Sequence, residues 1–373
     1  MHTHPGLGAS PRPSDHDIQV DAAIAPVFRL RTGSSYYGAI IVSPGHDGLA
    51  FTGHFDQDGD SVPIDRIWEV GSRFRLTHSI DNSEADLTAA FDRNVRAFGP
   101  AIQRTLADLS VAIVGCGGTG SAVAEQLVRL GVRRLRLIDP DLLSDSNITR
   151  VYGSSAADVG RPKVDVLRDH LTRIRPDIRC DTERSMITVR TTARRLADCD
   201  IAFGCTDDNA GRLVLSRLAT YLLLPVVDIG VLLSSAEGGS LTGIDARVTL
   251  LVPGSACLVC RGRVDLRRAA AELLTPDERT RLADEGYAPA LGNVEPAVIS
   301  FTSLVGAVAV SELLERLIGF GPAPRPSEIL VRYHDREIST NIALPNAGHY
   351  CDQSSGKWGL ADAEPFLEQI WQA

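Results

Sequence analysis

The stretch Val111-Ala-Ile-Val-Gly-Cys-Gly-Gly-Thr-Gly-Ser121 decides the fold of this chain, together with Arg136-Leu-Ile-Asp139 behind it. A short apolar strand runs into glycines at positions 115, 117 and 120, and a helical pattern begins at Ser121. This is the G-x-G-x-x-G order of a strand, turn and helix that bind a nucleotide. Asp139 follows Gly120 by 19 residues, near the spacing of roughly 20 at which an acid binds a ribose. The pattern predicts a Rossmann-like α/β fold.

The glycines permit a tight turn, and the amide groups that open the helix offer the positive end of its dipole to phosphate. We therefore expect the nucleotide to contact a set of loop glycines and following acids. The set consists of Gly115, Gly117, Gly118, Gly120, Asp139 and Asp141. The motif alone leaves the identity of the nucleotide open.

Composition limits the class of protein. The chain has 373 residues, 44% of them apolar and 23% charged, which suits a globular protein with one large and one small domain. A formal charge of -9 argues against broad nucleic-acid binding. Seven scattered cysteines and an N-terminus without a basic or apolar run predict a cytoplasmic protein. The apolar stretch 297–318 contains charged residues, so we expect a buried helix and no membrane contact.

Three polar residues behind the ribose acid favour ATP over NAD. Activation of a carboxylate by ATP requires positive charge at the α-phosphate and at the leaving pyrophosphate. Asn147, Arg150 and Lys163 match those roles, although each alone is more commonly a solvated polar residue. A dehydrogenase has no need of a cationic cluster at this spacing. The sequence therefore predicts ATP as the nucleotide.

Further candidate ligands follow two later strands. Cys205-Thr-Asp207-Asp208 comes after the buried strand Ile201-Ala-Phe-Gly, where an acid is placed to bind Mg²⁺ or to orient the reacting group. Asp207 could equally cap the next helix. Cys257-Leu-Val-Cys260 suits half of a zinc site or a redox pair, and the alternative is a pair of buried thiols without metal.

From Arg93 to about residue 320 the chain resembles the ThiF/MoeB/HesA family, the bacterial relatives of ubiquitin-activating enzymes. The resemblance rests on the glycine-rich turn, the spacing of the acid and cations behind it, and the Cys-Thr-Asp motif with Arg212 five positions after Asp207. Asp208 replaces the asparagine that is usual in the family. The resemblance implies ATP and Mg²⁺ as cofactors, with the metal on Asp207, and a homodimer in which Arg93 reaches the phosphates of the partner's ATP.

The same resemblance implies a structural zinc. The family closes its zinc site with a second Cys-x-x-Cys near the C-terminus, where this chain has His349-Tyr-Cys351. We therefore expect Cys257, Cys260 and Cys351 as zinc ligands, with His349 as the tentative fourth. Family members that form a thioester carry the acceptor cysteine in the connection before Asn293, and this chain has none there. An external cysteine acceptor protein, or recruitment of Cys205, would follow.

The start of the chain, His2-Thr-His4-Pro followed by Ser14-Asp-His-Asp17, resembles the zinc signature of the JAB/JAMM metalloproteases. The resemblance implies His2, His4 and Asp17 as zinc ligands in a remnant of that domain, without the upstream glutamate of the family. The alternatives are a disordered tail and a helix-capping pattern of Ser14 and Asp17. Residues 27 to 80 alternate like strands and would supply the later part of such a domain.

We expect a partial JAB/JAMM-like region over residues 1–88, a ThiF-type adenylation domain over 89–340 and a tail with candidate zinc ligands over 341–373, helical near 362–372. The expected fold is a doubly wound α/β sheet with a small N-terminal α+β fragment. The expected activity is adenylation of the C-terminal carboxylate of a ubiquitin-like or sulfur-carrier protein. The alternatives are adenylation of a peptide or small-molecule carboxylate, dehydration of a threonine-type substrate, and a catalytically silent binding module.

Overall fold

The protein is described here from a computed structural model. The described residues are 2–3, 11–45, 48–57, 60–79, 89–235, 241–275, 277–279, 281, 297–361, 363–369 and 371. The chain divides into two compact units, one of Met1–Glu69 with Phe74–Asp86 and the other of Val70–Arg73 with Leu87–Ala373.

The first unit is a small α+β structure. Its elements are β1 (His2–Thr3), α1 (Asp15–Thr32), β2 (Tyr36–Gly45), β3 (Gly48–Gln57), β4 (Asp60–Pro63), β5 (Arg66–Glu69) and β6 (Arg75–His78). Strands β1 to β4 form a sheet in that order, with β1 parallel to β2 and the others antiparallel, and β5 pairs with β6. Val42, Phe51 and Ile64 are the buried core of this unit. Asp21 fixes α1 to the sheet because it accepts a hydrogen bond from Tyr37 and pairs with His54.

The capping interpretation of Ser14 and Asp17 is confirmed. The Ser14 hydroxyl accepts a hydrogen bond from the Asp17 amide at 3.2 Å, and the Asp17 carboxylate accepts one from the Ser14 amide at 2.7 Å. His2 lies in β1, and His4 lies outside the described residues. The prediction of a strand from residue 27 is wrong, because residues 27–32 continue α1 to a left-handed cap at Gly33.

The second unit is built on an eight-stranded sheet. Its strands are β7 (Ser110–Val114), β8 (Arg134–Ile138), β9 (Arg179–Glu183), β10 (Ile201–Gly204), β11 (Val226–Ser235), β12 (Leu241–Leu251), β13 (Glu328–Arg332) and β14 (Glu337–Asn341). Their order is β14-β13-β12-β11-β10-β7-β8-β9. The five strands β7, β8, β9, β10 and β11 are mutually parallel, and β12 to β14 add antiparallel strands at one edge. The order reverses beside β7, so the ligand crevice is expected at the carboxyl ends of β7 and β10.

Helices accompany this sheet. They are α2 (Asp92–Asp108), α3 (Gly118–Leu130), α4 (Lys163–Ile174), α5 (Arg190–Arg194), α6 (Asn209–Tyr221), α7 (Leu266–Glu272) and α8 (Ile299–Ile318). A Cβ added to Gly306 on α8 would lie 3.4 Å from Val123 and 3.5 Å from Ala122 on α3, so the two helices pack closely at this small residue. Among the described helices, none combines the length and apolar character that a membrane crossing requires. The predicted Rossmann-like doubly wound fold is confirmed.

The C-terminal tail packs on the second unit. Phe366 and Leu367 are buried in its core, and Trp371 stacks on Phe366 with ring centroids 5.4 Å apart. The predicted tail helix is wrong over the described residues 363–369, where only a short 3-10 helix at Phe366–Glu368 forms. The reason is the backbone, because Leu367 and Glu368 have positive φ and cannot continue a right-handed helix.

Candidate active site

A cavity of about 830 Å³ lies at the carboxyl ends of β7, β10 and β11. Several of the residues singled out from the sequence line it together. They are Gly115, Gly117, Gly118, Asp139, Asp141, Arg150, Lys163 and Asp207. A volume in this range suits a nucleotide with part of a second substrate.

The glycine-rich turn requires glycine at two positions. Gly115 has a φ of +92°, and a Cβ there would lie 2.7 Å from the backbone carbon of Cys205. A Cβ at Gly120 would lie 1.8 Å from the carbonyl oxygen of Gly115. Because both conflicts are with backbone atoms, no side-chain movement relieves them. The two glycines thus allow β7, the start of α3 and the end of β10 to meet at one point.

The other two glycines shape the surface of the turn. Gly117 is the N-cap of α3 and uses no side-chain cap, and a Cβ there would contact no atom within 4 Å. The first amide groups of α3 therefore remain suited to a phosphate. A Cβ at Gly118 would lie 3.1 Å from the hydroxyl of Thr302 and 3.3 Å from the Arg150 Cβ, which places Arg150 against this turn.

Asp139 is buried beneath the cavity. Its carboxylate accepts hydrogen bonds from the amides of Cys116 at 2.7 Å and Asp141 at 2.9 Å. Burial raises the pKa of Asp139 above its ordinary value, although Lys163 and the two amides oppose the shift. Each carboxylate oxygen has a further lone pair, so the acid can hold the turn and still accept a ribose hydroxyl.

The two cations reach the cavity from different elements. Lys163 is the first residue of α4, and its Nζ lies 2.7 Å from Asp141 and 4.0 Å from Asp139. The Arg150 guanidinium donates to the Ser146 carbonyl at 2.7 Å. These contacts restrict both side chains, which reduces the entropy lost when they bind a phosphate.

The sequence left two roles open for Asp207, which are binding a metal and capping the next helix. Asp208 is the N-cap of α6, because its carboxylate accepts hydrogen bonds from the Gly211 amide and the Thr206 hydroxyl. Asp207 is exposed at the cavity, and its carboxylate makes no hydrogen bond in the described part of the chain. Asp207 therefore remains suited to a metal, while the departure from the family pattern at Asp208 supplies the cap.

Three of the expected site residues do not line this cavity. Gly120 lies beneath the turn. Asn147 is buried, and its side-chain oxygen accepts a hydrogen bond from the Ser144 amide at 3.1 Å, so it closes a short 3-10 helix. Arg93 is exposed on α2. Cys205 does line the cavity, but burial, and then the charge of Asp228, raise its pKa, which disfavours the reactive thiolate.

A network of charges was not predicted from the sequence. It lies on the far wall, which is the side of the cavity lined by Arg212, Arg247 and Arg263. Asp228, fully buried on β11, accepts hydrogen bonds from Arg212 at 2.9 and 2.7 Å and from Arg247 at 3.1 Å. Burial alone would raise the pKa of Asp228, but these guanidinium groups hold it below its ordinary value. The available signal was an acid inside the apolar run Val226-Val-Asp-Ile, since a buried charge requires a partner.

The cysteine motif and the tail form a second cluster. Cys257, Cys260, His349 and Cys351 bring their four donor atoms within 4.8 Å of one another. The His349 Nδ1 lies 3.5 Å from the Cys257 sulfur and 3.4 Å from the Cys351 sulfur, and the sulfurs of Cys260 and Cys351 are 3.7 Å apart. A tetrahedron with metal–sulfur bonds of about 2.3 Å has edges of about 3.8 Å. The donor set and its spacing therefore fit one tetrahedral metal ion.

Comparison with known proteins gives related adenylyltransferases and activating enzymes. Molybdopterin-synthase adenylyltransferase of Escherichia coli (strain K12) is 29% identical over 221 residues, 59% of this chain and 77% of the relative. Ubiquitin-like modifier-activating enzyme 5 of Oryza sativa subsp. japonica is 28% identical over 228 residues, 57% of this chain and 49% of the relative. The chain thus spans about half the length of the second relative.

The fold has a similar relative among solved structures. E. coli MccB in the crystal structure with MccA-N7isoASN superimposes with a TM-score of 0.54 and 20% identity, over 70% of this chain and 74% of that one. The model of the ThiF family matches residues 91–351. This range contains the glycine-rich turn, the cations behind it and the cysteine cluster, and it is well over half of the sequence. The chain belongs to the ThiF family.

Proposed function

We propose that this protein is an ATP-dependent adenylyltransferase that activates the C-terminal carboxylate of a ubiquitin-like or sulfur-carrier protein. The substrate carboxylate attacks the α-phosphorus of ATP, the bond to the leaving pyrophosphate breaks, and an acyl-adenylate forms. The observation that carries the proposal is the single cavity that unites the glycine-rich turn and Asp139 with Arg150, Lys163 and Asp207. A nucleotide on the turn would have both cations within reach of its phosphates.

Residues of different charge in the cavity bind different parts of ATP. Asp139 holds the ribose, and the turn with the amides of α3 holds the phosphates. Arg150 and Lys163 stabilise the charge that develops on the α-phosphate and the pyrophosphate. Lys163 is held by Asp141 at 2.7 Å, so it is positioned before the nucleotide binds. Asn147 acts indirectly, because its cap orders the segment that carries Arg150.

Asp207 would bind the Mg²⁺ that accompanies ATP. Its exposed carboxylate at the carboxyl end of β10 is a hard oxygen ligand of the type that Mg²⁺ prefers. The metal would neutralise phosphate charge. We also propose that the Cys257, Cys260, His349 and Cys351 cluster holds a structural zinc, because zinc takes such Cys₃His sets.

Two features of the proposal involve other chains. We propose a homodimer in which the exposed Arg93 acts in the partner's nucleotide site. We further propose that the acyl group passes to a cysteine of a separate acceptor protein, since the raised pKa of the Cys205 thiol makes it a poor nucleophile.

The carrier-protein substrate is supported by the relatives, which include the sulfur carrier protein ThiS adenylyltransferase of Escherichia coli (strain K12), 32% identical over 125 residues. A peptide substrate is the second candidate. MccB, which shares the fold, has been crystallised with MccA and with MccA-N7isoASN. Both candidates present a carboxylate to the same cavity.

We propose that the first unit derives from a JAB/JAMM-type domain, over the residues 1–88 that the sequence indicated. The support is the order of the His2 and His4 motif, the Ser14 and Asp17 motif, a helix and a mostly antiparallel sheet. The Asp17 carboxylate caps α1 in this structure. We therefore propose that the unit has a recognition role and no protease activity.

The nucleotide assignment predicts a preference that thermal unfolding can measure. ATP with Mg²⁺ at about 100 times its dissociation constant should stabilise the protein by roughly 2.7 kcal/mol, because Arg150 and Lys163 offset the triphosphate charge. NAD⁺ at the same concentration should stabilise the protein less. Lys163→Gln should reduce the stabilisation by ATP while changing the melting temperature of the free protein little. Equal or greater stabilisation by NAD⁺ would contradict the assignment.

A further inference from the structure

The far wall of the cavity carries more positive than negative charge. Arg212 and Arg247 pair with Asp228, while Arg247, Arg261 and Arg263 lie within 3.9 Å of Glu328. Four guanidinium groups therefore share two carboxylates. Both acids are completely buried, with side chains 0% exposed, so solvent does little to screen the imbalance.

Arg247 is incompletely paired in this wall. Arg212 occupies both oxygens of Asp228, whereas Arg247 donates to one of them at 3.1 Å. The Nε of Arg247 is buried and has no hydrogen-bond partner in the described structure. Burial lowers the pKa of Arg247, and the charges of Arg212 and Arg263 add to this shift although Asp228 opposes it. A bound anion would relieve the repulsion between these guanidinium groups.

Three of these arginines face the same space. Arg212, Arg247 and Arg263 line the cavity. A Cβ at Gly230 would lie 3.4 Å from the Nη2 atoms of both Arg212 and Arg247, so glycine at this point of β11 leaves room for the two guanidinium groups side by side. Apolar residues of β11 and β13 line the cavity beside them, including Val231 and Leu330. Such a wall suits an extended peptide with one acidic side chain.

From this geometry we propose that the substrate tail carries a carboxylate side chain a few residues before its C-terminus, and that Arg247 with Arg263 binds it. The inference rests on the proposed function and names the class of tail. In the sheet, β10 and β11 lie between β12 and the crevice that separates β7 from β10, so the distance is two and a half strand spacings. At about 4.8 Å between strands this is roughly 12 Å, which an extended chain covers in about three or four residues.

Two hexapeptides test the proposal without a known carrier. Acetyl-GGDGGG places an aspartate three residues before the C-terminus, and acetyl-GGNGGG differs only by the amide. We expect calorimetry with an ATP analogue that cannot be cleaved between the α- and β-phosphates to give roughly tenfold tighter binding of the aspartate peptide, because its carboxylate forms charge-assisted hydrogen bonds with Arg247 and Arg263. Arg247→Gln should bring the two dissociation constants together, and Arg247→Lys should retain part of the difference.

The matched control is Arg179→Gln, which removes the same charge from an exposed arginine at the start of β9. It should leave the preference unchanged. Arg263→Gln, at a more exposed position, provides a second variant if Arg247→Gln fails to fold. Equal binding of both peptides by the wild-type protein would overturn the inference. That result would leave the proposed function intact, since adenylation itself is measured separately by pyrophosphate exchange.

Discussion

Replacement of Arg93 by alanine is expected to lower the turnover of adenylation by roughly a hundredfold or more, while the affinity for ATP changes little. Arg93 is exposed on α2 and does not line the cavity of its own chain. In the proposed homodimer it contacts the phosphates bound by the partner, where charge builds up only as the reaction proceeds. The measurement is turnover against ATP dissociation constant for purified Arg93→Ala protein.

Mixing variants distinguishes action across the interface from action within one chain. When Arg93→Ala chains exchange with Asp207→Ala chains, one of the two sites in a mixed dimer receives an intact residue of each kind, so part of the activity should return. Arg96→Ala is the matched control on the same helix, because Arg96 is exposed and pairs with Asp92 at 3.0 Å. Confirmed subunit exchange without recovery of activity would show that Arg93 does not act in the partner's site.

Loss of the cysteine cluster should have the largest effect on stability. We expect purified protein to contain about one zinc per chain, and Cys257→Ser to lose both the metal and at least about 4 kcal/mol of stability, because metal binding is coupled to folding. For a protein of this size such a loss lowers the melting temperature by roughly 5 °C. Elemental analysis and thermal unfolding provide the two measurements.

The control for this variant is Cys180→Ser, since Cys180 is a half-buried cysteine on β9 outside the cluster. It should keep the zinc and unfold near the wild-type temperature. Full stability of metal-free wild-type protein would refute a structural role for the ion, whatever the cluster binds.

Local chemistry made the nucleotide turn predictable. Glycine is required at positions 115 and 120 because an added Cβ would lie under 3 Å from backbone atoms. The spacing of these two glycines therefore predicts the turn directly from the sequence. The grouping of Cys257, Cys260 and Cys351 could also be expected, although His349 is present where the family has a fourth cysteine. Such features depend on a few residues at fixed spacing, which a sequence displays directly.

Other features depend on contacts distant in sequence. The pairing of Asp228 with Arg247 joins diagonal positions on β11 and β12, where Arg247 faces Gly230, and nothing near either residue indicates the partner. Strand β14 was missed because Glu337-Ile-Ser-Thr-Asn341 contains a single strongly apolar residue. The alternation after residue 27 suggested a strand, but the helix that begins at the Ser14 and Asp17 cap continues to Thr32. In each case tertiary packing or a neighbouring cap outweighed the local pattern.

The central claim, formation of an acyl-adenylate from ATP, is tested most directly by ATP–pyrophosphate exchange on the intact chain. We expect incorporation of labelled pyrophosphate into ATP that requires Mg²⁺ and a ubiquitin-like or sulfur-carrier protein with a free C-terminal carboxylate. The exchange should disappear when that carboxylate is converted to an amide, because the attacking oxygen is then absent. Exchange that persists with the amidated carrier, or no exchange with a broad panel of carriers and carboxylate-ended peptides, would contradict the account.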